Sequence, residues 1–124
     1  MSLSDFLDYG GEQVSPSTSR KELAILRLRR MKARKYNHII DAETRLRIRI
    51  SIYAYAYEYE AVSLISDGEF DKMCYQVNLN VNTRRSDLDI WFRENFDPCT
   101  GQWIHKHPEL DKIKSIYNIH YNNR

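Results

Sequence analysis

Leu46-Arg47-Ile48-Arg49-Ile50-Ser51-Ile52-Tyr53-Ala54-Tyr55-Ala56-Tyr57-Glu58-Tyr59-Glu60 decides the fold class of this chain. Its first half alternates apolar and polar residues with period two, the pattern of a half-buried strand, and the four tyrosines continue it. Three features argue instead for helix. A strand of this length would far exceed the usual run of about 5 or 6 residues. Ala54, Ala56, Glu58 and Glu60, interleaved with the tyrosines, are good helix formers. No turn signal interrupts the run, and Leu46, Ile50, Tyr53 and Tyr57 fit a helical stripe. The stretch therefore predicts a helix over 42–64, with a hairpin as the alternative that the period-two pattern leaves open.

Upstream, Ser19-Arg20-Lys21-Glu22 has the spacing of a capping box, in which Ser19 accepts from the amide at 22. An apolar stripe of Leu23, Ile25, Leu26, Leu28 and Met31 follows, with Arg and Lys on the other face, so a basic amphipathic helix is expected over 20–36. Asp41 is placed to cap the next segment, with Glu43 in its first turn. Downstream, Ser66-Asp67-Gly68-Glu69 repeats the capping box, and Ile65 and Phe70 have the spacing of a hydrophobic staple. A helix begins at Asp67 and is weakened and ended by Asn78, Asn80 and Asn82. Ser86-Asp87-Leu88-Asp89 reads as a third cap, ahead of Ile90, Trp91, Phe92 and Phe96. Asp97-Pro98-Cys99-Thr100-Gly101 is a turn, and Pro108 suits the first position of a last helix carrying Leu110, Ile113, Ile116 and Tyr117. The expected fold is all-α: a single-domain bundle of about five helices over 19–124, behind a flexible acidic tail at 1–18. Gly10-Gly11 and Ser15-Pro16-Ser17-Thr18 break that tail, and Phe6, Leu7 and Tyr9 cluster within it.

The segment from Arg49 to Leu110 also carries a family resemblance. A Tyr-rich helix, a short turn, Ser66-Asp67-Gly68-Glu69-Phe70-Asp71 and then His107-Pro108-Glu109-Leu110 resemble the small N-terminal helical domain of NAD-dependent DNA ligases. In that family the domain clamps the nicotinamide mononucleotide (NMN) half of NAD. The resemblance implies a ligand site at Tyr57, Glu58, Asp67, Phe70 and Asp71. Tyr57, Asp67 and Asp71 match the family, whereas His is usual where Glu58 stands and Tyr where Phe70 stands. The spacer from Phe70 to His107 is longer than the family's. A nucleotidyltransferase domain, with its lysine nucleophile, has no room in 124 residues. The expectation is therefore a binding protein rather than a ligase.

Composition narrows the role further. At 42% hydrophobic and 29% charged residues the chain is of the ordinary globular type. No apolar run approaches the roughly 20 residues of a membrane helix, and Met1 to Gly11 lacks the basic and apolar regions of a signal peptide. With only Cys74 and Cys99, a reducing, cytoplasmic setting without a disulfide framework is expected. The net charge of +2 is unevenly spread: 20–49 holds eleven Lys/Arg against three acids, and the remaining chain is acidic. Such segregation points to internal pairing or to a partner of opposite charge.

Cys99, His105 and His107 match no structural zinc spacing, so no metal site is expected. A Cys–His nucleophile pair would lack both an orienting group and an oxyanion donor, so no catalytic residue is expected either. On a helix, tyrosines two apart diverge by about 200°, so at least two of the four must face solvent or a partner. Tyr55 and Tyr59 are candidates for such a contact, as are Arg27, Arg30 and Arg34 of the basic helix. Glu58 sets an anion near where a ligand phosphate would lie, and Phe70 lacks a hydroxyl. The first expectation is thus a non-enzymatic protein with no cofactor, working through protein–protein contacts. A small inhibitor of the kind phages direct at host defence systems is one such role, by analogy of style alone. Binding of NMN or NAD, and nucleic-acid binding through the basic helix, are the alternatives.

Overall fold

The computed structural model describes residues 19–122, so the expected tail at 1–18 lies outside the described residues. The described residues contain four α-helices and one 3-10 helix, and no strand among them. They are α1 (Arg20–Glu60), α2 (Asp67–Gln76), α3 (Ser86–Asn95), a 3-10 turn (Gln102–Lys106) and α4 (Leu110–His120). The chain is all-α, and Leu46 to Tyr59 is helix. Among these helices none is long and apolar enough to cross a membrane. The chain divides into two compact units, Met1–Asp41 and Ala42–Arg124.

The expected break at Asp41 is absent: α1 runs unbroken for 41 residues. No Gly or Pro lies between 20 and 60. Asn37, His38 and Asp41 cost at most about 0.7 kcal/mol each against Ala in a helix. Ending and restarting the helix would instead strand four carbonyls and four amides, so continuity wins. At its start Ser19 Oγ accepts from the Glu22 amide at 3.2 Å, as the capping spacing predicted. Within the first unit, Leu23 and Leu26 are half-buried and Ala33 and Ile40 are buried. Ile25, Leu28 and Met31, read as inward-facing, are exposed. Positions 25 and 28 lie about 80° to 160° around the helix from 23, 26 and 33, so the apolar residues form two stripes rather than one.

Within the second unit α1 is enclosed over 50–56. Ile50, Ser51, Ile52, Ala54, Tyr55 and Ala56 are all buried, and the core adds Cys74, Phe92, Trp103, Ile104, Ile113 and Tyr117. A helix covered on nearly every side needs no amphipathic period. That is why this segment imitates a strand. α1 stops at Glu60, short of the expected 64, because Ala61 turns left-handed (φ 54°) and the Val62 amide donates back to the Ala56 carbonyl at 3.0 Å. Ser66 Oγ then accepts from the Glu69 amide at 3.2 Å and starts α2.

One buried network ties the second unit together. Arg47, 5% exposed, donates Nε to Glu43 at 2.8 Å and Nη1 to Asp89 at 2.7 Å. Its Nη2 donates to the carbonyls of Asn78 and Val81, and its guanidinium lies 5.4 Å from the Phe92 ring centre. Glu43 also accepts from the Asn78 amide. Asp89 accepts from the amide and hydroxyl of Thr83. Asp89, not Ser86, is thus the side chain that organises the approach to α3: Ser86 is already helical, and its predecessor Arg85 makes no side-chain cap. The last helix likewise starts at Leu110 rather than Pro108, since His107 Nδ1 accepts the Glu109 amide and holds Pro108 in the preceding turn.

Removing one member of this network strands its buried partners. Arg47→Ala is expected to cost about 3–5 kcal/mol, because Glu43 and Asp89 lose their counter-charge out of reach of water. Urea unfolding of the two proteins measures it, and a loss below 1 kcal/mol (on the order of an exposed ion pair) would contradict the network's role.

Candidate functional site

The end of α1, the 61–66 connection and the first turns of α2 enclose a cleft of about 360 Å³. Its geometry follows from local chain features. Tyr53, Tyr57 and Glu58 come from the last turns of α1. The left-handed Ala61 reverses the chain there, and the Ser66 cap fixes where α2 begins. Asp67, Phe70 and Asp71 are spaced i, i+3, i+4 and so share one face of α2. All five residues implied by the resemblance, Tyr57, Glu58, Asp67, Phe70 and Asp71, line this one cleft.

The far wall was not foreseen. It is the Thr100-Gly101-Gln102 turn. A Cβ built on Gly101 would lie 3.4 Å from Ala54 Cβ and 3.5 Å from Phe70 Cζ, ordinary van der Waals distances, so the turn packs directly against the Phe70 ring. His105, considered above only as a metal ligand, joins the rim: its Nδ1 lies 2.9 Å from Tyr59 Oη and its Nε2 3.3 Å from Glu58 Oε2. The sequence signal for this was the Pro98/Gly101 turn, read only as a connection.

Among the described residues the lining combines three aromatic rings, Tyr53, Tyr57 and Phe70, with three carboxylates, Glu58, Asp67 and Asp71, and includes no Lys or Arg. Tyr57 is 60% exposed, so its ring is open to a ligand. Such a surface attracts a flat, positively charged group, which gains from both the carboxylates and the negative ring faces. Beneath it, burial and then Asp71 push the Cys74 thiol up to about 12, so it stays protonated and is no nucleophile at neutral pH. Among the described residues no group of three or more His, Cys, Asp or Glu is placed to hold a metal ion.

The other sequence-derived contact residues are separate from the cleft. Tyr55 is corrected: at 3% exposure it belongs to the core, stacked on Tyr59 at 5.2 Å and donating to Glu60 at 2.8 Å, so it meets no partner. Tyr59 is exposed, as is Tyr57, which satisfies the requirement that two of the ladder tyrosines face outward. Arg27 and Arg34 are exposed and Arg30 is half-buried, all in the first unit. Comparison with protein-family models, with curated proteins and with solved structures gives no match.

His107 lies away from the cleft and is largely buried, against Trp91 and Phe92. Burial lowers its pKa, against a smaller upward pull from Glu109. The unfolded chain takes up this proton near the ordinary value of about 6.5. Stability held by the neutral ring is therefore complete above that value and is lost as pH falls through it toward the lower folded value. The urea midpoint is expected to drop between about pH 7.5 and about pH 5.5, and His107→Phe to flatten the drop. An unchanged slope in the variant would assign the loss to other groups.

Proposed function

We propose that this chain is a ligand-binding module whose cleft takes the nicotinamide end of a nicotinamide nucleotide. What supports the reading is the convergence of Tyr57, Glu58, Asp67, Phe70 and Asp71 on one cleft, from two helices separated by a reversal of the chain. The chemistry agrees. An oxidised nicotinamide is a planar cation, suited to the Tyr57 and Phe70 faces with carboxylates around them. The phosphate finds no cation in the lining and sits at the open side. Calorimetric titration with NMN tests this. Saturable binding is expected, with Asp71→Asn weakening it about tenfold or more, the scale of one charge-assisted contact. No heat from NMN at millimolar concentration, on the order of a 4 kcal/mol interaction, would refute the nicotinamide reading.

A second reading concerns the first unit, which would engage a protein partner. It is favoured by Ile25, Leu28, Met31, Tyr36 and Ile39 standing exposed on a helix dense in Lys and Arg. Bulky aliphatic side chains gain nothing from a phosphate backbone, whereas an acidic amphipathic surface would use both kinds of residue. A gel-shift assay with plain duplex DNA is expected to show negligible retention. Tight retention that falls steeply with salt would transfer this face to nucleic-acid binding through Arg27, Arg30 and Arg34.

A further inference from the structure

The His107-Pro108-Glu109-Leu110 segment takes no part in the cleft and instead borders a second cavity of about 280 Å³, walled by α1, α3 and α4. Ile48, Leu88, Phe92, Ile113 and Ile116 give it an apolar surface. The buried polar side chains in its wall are engaged, with one exception. Arg47 and Asp89 are held in their shared network, and Ser51 Oγ donates to the Arg47 carbonyl at 2.7 Å. The exception is His107, which is 8% exposed. Its Nδ1 accepts from the Glu109 amide at 3.0 Å. Nδ1 therefore carries no hydrogen, and the neutral ring has its proton on Nε2. The ring's other contacts are with Trp91 and Phe92, at 4.9 and 6.1 Å between ring centres. Among the described residues this Nε2 hydrogen has no acceptor, and Nε2 is not sealed in the interior, since the fully buried side-chain atom without a partner is Trp103 Nε1. A part-accessible donor on the wall of an apolar cavity is the kind of polar group that orients a bound ligand.

The cavity also carries Arg84, Arg85 and Lys112 in its wall, with Glu109 shared between Arg85 and Lys112. An acceptor that is itself an anion suits this wall best, and a cationic head group is excluded by the same residues. The volume lies just below the about 300–1,000 Å³ of sites for drug-sized ligands, which limits the body to a short chain or a single ring.

We propose that this cavity is a second binding site, for a small apolar carboxylate. The hydrocarbon lies against Ile48, Leu88, Ile113 and Ile116, and the carboxylate accepts the Nε2 hydrogen of His107 beside the cations of Lys112 and Arg85. The site is independent of the nicotinamide cleft, with which it shares no lining residue.

Octanoate, octanol and octylammonium, titrated into the full chain by calorimetry, form the test. Octanoate is expected to bind at one site, octanol at least about fivefold more weakly, and octylammonium not measurably. His107→Phe keeps an aromatic ring between Trp91 and Phe92 but removes the donor, and should weaken octanoate about tenfold. Ile116→Trp, at a half-buried position on the cavity wall, fills the space and should abolish binding while the helical circular dichroism signal is kept. Equal binding of octanoate and octylammonium, or octanoate binding untouched by Ile116→Trp, would overturn the proposal. So would no binding of octanoate at millimolar concentration. If His107→Phe unfolds the chain, the Ile116→Trp result and the comparison of head groups decide.

Discussion

A guanidinium buried among helices has to be matched atom by atom, and Arg47 sets that requirement for the second unit. Its donors reach Glu43 one turn back on α1, Asp89 on α3, and two carbonyls in the 77–82 connection. The two carboxylates in turn take the amides of Asn78 and Thr83. A connection with no regular structure is thereby given fixed hydrogen-bond partners, which is how its buried backbone groups avoid going unsatisfied. An apolar residue at 47 could fill the same space, but it could not hold Asn78, Val81 and Thr83 in one arrangement. A buried ion pair is costly to break but weak evidence of net stability, and here its hydrogen bonds fix one arrangement of the connection. Both cavities depend on that arrangement, since the 77–85 connection leads from α2, which walls one, to α3, which walls the other.

The aromatic layer beneath the network works by the same logic of mutual constraint. Phe92 meets Trp103, Phe96 and His107 with ring centres 5.8, 5.9 and 6.1 Å apart, in tilted or edge-on geometry. Such contacts favour particular orientations as well as burial. They also carry a cost: among the described residues Trp103 Nε1 is buried without a hydrogen-bond partner. The large ring is kept for its packing volume at the expense of an unsatisfied donor.

How much of this was legible in the sequence depends on the range of the cause. Ser19 and Ser66 act on amides three residues away, and that spacing was sufficient to place both helix starts. The residues of the cleft were named by the resemblance of this segment to a known family and not by spacing, although i, i+3, i+4 spacing is what sets Asp67, Phe70 and Asp71 on one face of α2. Asp41 and Ser86 had the right residue type for caps, yet the structure passes over both. At 41 helix continuity is favoured over any cap, and at 86 the helix start is set by Asp89 reaching back to Thr83. Tyr55 was misjudged because exposure on a helix is decided by what packs around it, here Tyr117 at 5.5 Å, a residue 62 positions along the chain. Long-range partners leave no local mark, and the packing of the Thr100–Gln102 turn against the cleft was hidden for the same reason.

The two thiols of the chain differ sharply in environment. Cys74 is sealed in the core, with its proton held to about 12, whereas Cys99 is exposed on the turn that continues directly into Thr100 and Gly101 of the cleft wall. A thiol-directed probe will therefore react at one position of the folded protein without any engineering of the sequence. A fluorophore or spin label placed there stands beside Tyr75 and next to the wall of the cleft. The native chain thus supplies its own attachment point for following occupancy of the cleft by optical or magnetic spectroscopy.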